Sequence, residues 1–197
     1  MIDIRPATLH DLPGTYRVCL RTGDAGSDAT ARYRNPDLLG HVYVGPYVVG
    51  EPSHALIAAD EDGVAGYCLA APDTNAFAVW AASGWWPQLR ADFPRRVDGT
   101  PDAEIIALIY EPPIANADVL ETYPAHLHID LLERARRAGT GRRLVERQLQ
   151  SLADAGASGC YLDVDASNAN AIAFYRHLGW EVLERGDGAW VMGVSLR

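Results

Sequence analysis

The stretch HLHIDLLERARRAGTG, residues 126–141, decides the fold of this chain. Its first half alternates: Leu127, Ile129 and Leu131 fall on one face of an extended segment, His126, His128 and Asp130 on the other. A period of two predicts a β-strand over 126–132. The second half, from Arg136 to Gly141, has the form R-x-x-G-x-G. Residues 140–155 then carry Leu144, Val145, Leu149 and Leu152 at helical spacing, which predicts an amphipathic helix. A glycine turn between strand and helix is an anion site by construction. Glycine lets backbone approach a ligand closely, and the first N–H groups of a helix lack internal partners at the positive end of its dipole. Arg137, Arg142 and Arg143 would add charge. The turn lacks the GK[ST] of triphosphate loops and the GxGxxG of dinucleotide folds, which argues against ATP and NAD. A helix start with a solvated basic face accounts for the same residues without a ligand.

Downstream, CYLDV (160–164) reads as a strand, and 168–178 as a short helix opened by Asn168 and closed at Gly179. Ala171, Ile172, Tyr175 and Leu178 recur on one face of that helix, which an ordinary packed core would also explain. A final hairpin pairs 180–184 with 189–196 around Gly186-Asp-Gly188. Upstream, residues 2–6 read as a strand and Thr8-Leu-His-Asp11 as a capping box opening a helix to Thr22. Residues 54–59 and 64–71 flank the turn Asp60-Glu-Asp-Gly63 as a hairpin. Residues 75–90 read as a helix bearing Trp80, Trp85 and Trp86, and 101–110 as another, stopped by Pro112-Pro113. Residues 23–53 carry no firm assignment. Within them HVYVGPYVVGEP (41–52) is too aromatic for a linker and reads as an ordered loop or short strand near a site. The order of elements predicts one α/β (α+β) domain over 1–197 with a mixed sheet.

Composition narrows the function. The 197 residues carry a formal net charge of −9, which disfavours binding to nucleic acid backbones. The arginines gathered between Arg134 and Arg147 form a local patch better suited to a small anionic cofactor. Three cysteines without metal or CxxC spacing read as reduced structural thiols, and the opening MIDIRPAT has no leader pattern; both point to the cytoplasm. No apolar run reaches the roughly 20 residues that span a bilayer. No membrane partner is expected. The Trp-rich helix and the 41–52 segment offer apolar surface that a homodimer would cover.

R-x-x-G-x-G after a strand, followed at 168–180 by N-x-x-A-I-x-F-Y-x-x-L-G-W, resembles the paired signature motifs of the GNAT N-acetyltransferases. The opening IRPATLHDLP is similar to that family's first strand and helix. VGPYVV (44–49), the Trp-bearing helix and YPAHLHIDL (123–131) resemble, within that superfamily, the acetyltransferase-like C-terminal domain of O-GlcNAcases and its free-standing bacterial relatives.

The resemblance implies the GNAT fold, with strands 126–132 and 160–165 splayed around the pantetheine arm of acetyl-CoA. It places backbone of Leu131 and Leu132 beside that arm, and the pyrophosphate on the N–H groups of Arg137, Ala138, Gly139, Thr140, Gly141 and Arg142. Asn168, Ala171 and Tyr175 would complete the cofactor site. It also implies direct attack of a small-molecule or peptide amine on the thioester, with Tyr175 protonating the departing thiolate. Asp130, His128, Asp163 and Asp165 are candidates for the base, and Asp130 is favoured. The same resemblance allows a silent acetyl-CoA binder or a protein-interaction module.

Overall fold

The computed structural model describes residues 2–136 and 139–196; Arg137 and Ala138, two of the expected anion ligands, lie outside the described residues. Strand β1 (Asp3–Pro6) leads through a turn of 3-10 helix into α1 (Leu12–Thr22). The capping residue is Asp11. Its carboxylate accepts from Thr8 N–H and Thr8 Oγ at 2.8 Å each, and from both terminal nitrogens of Arg5 at 2.7 and 2.8 Å. The guanidinium and the Thr8 donors hold that carboxyl well below the usual range. This fixes the angle at which α1 leaves the sheet.

Helices α2 (Leu38–Tyr43) and α3 (Gly45–Gly50) follow, then the hairpin of β2 (Ala55–Asp60) and β3 (Gly63–Ala71). The Trp-bearing region breaks at Trp85 into α4 (Thr74–Gly84) and α5 (Trp86–Asp92). Helices α6 (Pro101–Tyr110) and α7 (Ala117–Thr122) precede β4 (Ala125–Leu131). Then come α8 (Thr140–Asp154), β5 (Gly159–Asp165), α9 (Ala169–His177), β6 (Glu181–Arg185) and β7 (Ala189–Ser195).

The strands form one sheet in the order β1-β2-β3-β4-β5-β7-β6, antiparallel throughout except for β4 against β5. Alternation along the strands feeds two cores. Ile57, Tyr67 and Leu69 pack with α1 to α6 on one face, while Leu56, Cys68 and Leu127 pack with Leu144, Val145 and Leu152 of α8 on the other. The expected mixed α/β sheet flanked by helices is what the chain builds. No helix among the described residues is long and apolar enough to cross a membrane.

Residues 41–52 are a correction. They are helical, not a loop or strand, and largely buried. Gly40, Gly45 and Gly50 look like loop punctuation, yet each seats an aromatic ring on bare backbone. A Cβ on Gly40 would stand 2.2 Å from Tyr16 Cγ, on Gly45 2.4 Å from Trp85 Cζ2, and on Gly50 2.5 Å from Trp80 Cζ3. The tryptophans are thereby drawn inward. Trp86 is buried, and Trp85 Nε1 donates to the His41 carbonyl at 2.9 Å. The apolar surface expected to drive dimerisation is therefore mostly internal, although Val49 and Val79 remain exposed.

Candidate active site

Strands β4 and β5 are paired only at Ala125 with Cys160 and His126 with Tyr161. Beyond these two positions β4 continues along β3 and β5 continues along β7, so the sheet opens between them. The opening is a cleft of about 340 Å³. Its walls are Leu127 to Asp130 on one strand and Leu162 to Asp165 on the other. Asn168, Ala171 and Tyr175 close one side, and Thr22, Gly26, Tyr43 and Tyr67 the other.

The register shows which backbone groups face the gap. Leu132 N–H donates to the Ala65 carbonyl at 2.8 Å, so the pairs one step further in, Tyr67 with Asp130 and Leu69 with His128, are the bonded ones. Backbone of Leu127, Ile129 and Leu131 is then turned toward β5. Of the two expected ligands at the strand end, Leu131 turns its N–H toward the cleft, its carbonyl being held by Arg136. The amide of Leu132 is committed to β3 and cannot serve a ligand in the gap.

Arg136 straps the turn after β4. Its Nε donates to the Leu131 carbonyl at 2.9 Å and a terminal nitrogen to the Gly26 carbonyl at 2.6 Å. The loop it grips turns sharply, with left-handed Ala25 and Gly26. That loop meets α9: a Cβ on Gly26 would lie 3.4 Å from Asn168 Nδ2.

The turn into α8 presents backbone N–H groups at a helix start. Gly139 is left-handed, with φ +72°, and stands at the N-terminus of α8. The N–H groups of Gly141 and Arg142 lie in the first helical turn, where no carbonyl of the helix reaches them. Thr140 is buried, and Gly141 lets α8 close on the sheet, since a Cβ there would meet Leu131 Cδ1 at 3.2 Å. The arginine side chains have other partners. Arg142 pairs with Glu146 at 2.6 Å, Arg134 with Asp60 at 2.8 Å, and Arg147 with the Ile4 carbonyl at 2.8 Å. Arg143 reaches the Ile2 carbonyl at 3.5 Å.

Two groups in the cleft suit acid and base work. Burial raises the Asp130 carboxyl to about 6, partly offset by the hydrogen bond from Tyr67 and by the charge of Arg136. Tyr67 donates to Asp130 Oδ2 at 2.5 Å. Burial also raises the Tyr175 phenol far above its ordinary value, so it keeps its proton. The enclosed side-chain polar atoms without a partner, among the described residues, are Gln148 Oε1 and Trp180 Nε1. Tyr175 lines the cleft. Asn168 caps α9 by accepting from Ala171 N–H at 3.0 Å, leaving its amide nitrogen on the cleft side beside Gly26. Asp165 accepts from Ser167 N–H at 2.8 Å and Oγ at 2.5 Å, which hold its carboxyl low and suit it to shaping the turn. Tyr67, Thr22 and Gly26 were not foreseen. Tyr67 alone left a trace, a single large polar-tipped residue in an otherwise small, apolar strand.

The sequence model described as acetyltransferase (GNAT) family matches residues 27–180. The chain is 24% identical over 189 residues to protein O-GlcNAcase of Rattus norvegicus, covering 94% of this chain and 20% of the relative. It therefore spans about a fifth of the length of the curated relatives it matches. The crystal structure of SsHAT superposes with a TM-score of 0.93 at 32% identity, over 100% of this chain and 98% of that one. The structure of yncA from Salmonella typhimurium with its cofactor acetyl-CoA superposes with a TM-score of 0.56 at 15% identity, over 100% of this chain and 94% of that one.

Proposed function

Because the chain belongs to the acetyltransferase (GNAT) family, we propose that it is an acetyl-CoA-dependent N-acetyltransferase acting on a small-molecule or peptide amine. The observation that carries this reading is the parting of β4 and β5 after two paired residues, with Asp130 and Tyr175 in the opening. Acetyl-CoA supplies an acyl group activated as a thioester. An extended pantetheine arm suits the strand-like gap, where backbone of Ile129 and the N–H of Leu131 are turned toward it. The pyrophosphate suits the α8 N-terminus at Gly139, Gly141 and Arg142, with Thr140 packed beneath.

Asp130 then acts as base. A carboxyl near 6 is ionised at neutral pH and still accepts a proton more readily than a solvated aspartate. Tyr175 acts as acid, holding a proton at a hydroxyl that burial prevents from ionising. Asn168 fixes the start of α9 and so the position of Tyr175 two turns on. A silent acetyl-CoA binder is the second reading, favoured by the likeness to one fifth of O-GlcNAcase. Two assays test the proposal. Acetyl-CoA should raise the melting temperature, and an amine panel should accelerate release of free thiol. Stabilisation without thiol release would favour the second reading, and no stabilisation would remove both.

A further inference from the structure

The cleft passes through the sheet, and its two ends differ in chemistry. Leu127, Leu162, Ala171 and Tyr175 line the end on the α8 face. The other end lies among α1, α2 and α6, on the opposite face, and is lined by Tyr33, Tyr43, Tyr67, Leu39 and Ile105. Alternation along β4 turns His128 and Asp130 toward this second end. Charge is scarce there. Among the described residues lining the cleft there is no arginine or lysine. Asp130 is engaged by Tyr67, and Asp165 by Ser167. Asp163 is the further carboxylate, and burial together with the nearby Glu184 raises its pKa, so charge on it is disfavoured. The phenols are neutral as well: burial raises Tyr43 to about 12 and lifts Tyr33 above its ordinary value. Neither the Tyr33 nor the Tyr43 hydroxyl makes a hydrogen bond among the described residues.

An acceptor that brings its amine to Asp130 from this side leaves the rest of its body against aromatic and aliphatic side chains. The Tyr43 ring stands edge-on to His128, with centroids 6.3 Å apart and planes at 64°. Walls of this kind take a further ring edge-to-face or offset, contacts that add to the burial of its apolar area. A polycation would set its remaining ammonium groups against apolar surface, which is costly unless each finds a partner. The whole cleft, about 340 Å³, is near the lower end for small-molecule sites and favours a compact body. We propose that the acceptor is a small arylalkylamine, with its amine at Asp130 and its ring against Tyr33 and Tyr43. This rests on the acetyltransferase reading and names its substrate class. The unpaired phenol oxygens of Tyr33 and Tyr43 offer a hydrogen bond to a hydroxyl carried on that ring, so a phenolic amine suits the site further.

The test is calorimetry on the full chain, with and without coenzyme A, using phenethylamine, tyramine, butylamine and spermidine as probes. Phenethylamine should bind about tenfold more tightly than butylamine or spermidine, and tyramine at least as tightly as phenethylamine. Tyr43→Leu should erase the preference for a ring, whereas Tyr43→Phe should keep it and diminish the gain from the tyramine hydroxyl. A second measurement does not depend on the leucine variant folding. Overhauser contacts from the phenethylamine ring to labelled tyrosine rings should appear in the parent chain and weaken in Tyr43→Phe. Spermidine or butylamine binding as tightly as phenethylamine would overturn the proposal. So would no binding by any probe, a ring preference that survives Tyr43→Leu, or the absence of tyrosine contacts. Failure of acetyl-CoA to stabilise the protein would count against the acetyltransferase reading separately, because the arm without coenzyme A ranks the amines on the protein alone.

Discussion

The Tyr67 hydroxyl and the Asp130 carboxylate lie 2.5 Å apart across the β3–β4 ladder, at paired positions of the register. The bond keeps a carboxylate ionisable in a place where burial alone would raise its pKa further. The site thus holds a charge at the expense of fold stability, as working sites commonly do.

That tension gives the first prediction. Asp130 binds its proton more tightly in the fold, near 6, than in the unfolded chain, near 3.8. Stability linked to it is therefore fully present below about pH 3.8 and lost as pH rises through 6. Asp130→Asn should be more stable than the parent above pH 6, by on the order of 3 kcal/mol at most, with little difference near pH 4. The same variant should lose the limb of the activity profile centred near pH 6. Denaturant melts at both pH values, beside pH–rate curves, check this; equal destabilisation at both would make Asp130 a structural residue.

Tyr175→Phe addresses the acid. The ring packs beside Phe174 and Trp180, with centroids 5.4 and 5.6 Å away, contacts that phenylalanine keeps. Affinity for acetyl-CoA should change little while kcat falls by about 10²–10⁴-fold. Lost affinity with kcat preserved would reduce Tyr175 to a packing residue.

At the anion turn, a Cβ on Gly139 meets nothing within 4 Å, so space does not constrain this position but its left-handed φ does. Gly139→Ala should cost about 1–2 kcal/mol of stability and leave acetyl-CoA binding measurable by calorimetry. Gly139→Glu adds like charge beside the pyrophosphate and should abolish binding. Full binding by a folded Gly139→Glu chain would move the site elsewhere.

The sequence disclosed the parts of the fold in which periodicity and turn chemistry agree. The alternation of Leu127, Ile129 and Leu131, the turn at Gly139 and the cap at Asn168 all lie where they were read. The segment around α2 and α3 was misread because glycine carries opposite meanings in loops and in close helix packing, and only tertiary contacts separate them. Tyr67 and the Arg136 strap were hidden for a related reason, since their partners lie 63 and 110 residues away. Gly40→Ala tests the packing reading. It should destabilise the chain by about 1–3 kcal/mol through the clash with Tyr16, seen as a lower melting temperature, whereas a loop glycine would tolerate the change.

The most direct measurement of the central claim is mass spectrometry of a mixture of primary amines incubated with acetyl-CoA and the purified chain. The account predicts that at least one amine gains a single acetyl group, and that Asp130→Asn and Tyr175→Phe each slow its appearance by at least tenfold. An unmodified amine mixture, from a chain that still binds acetyl-CoA, would contradict it.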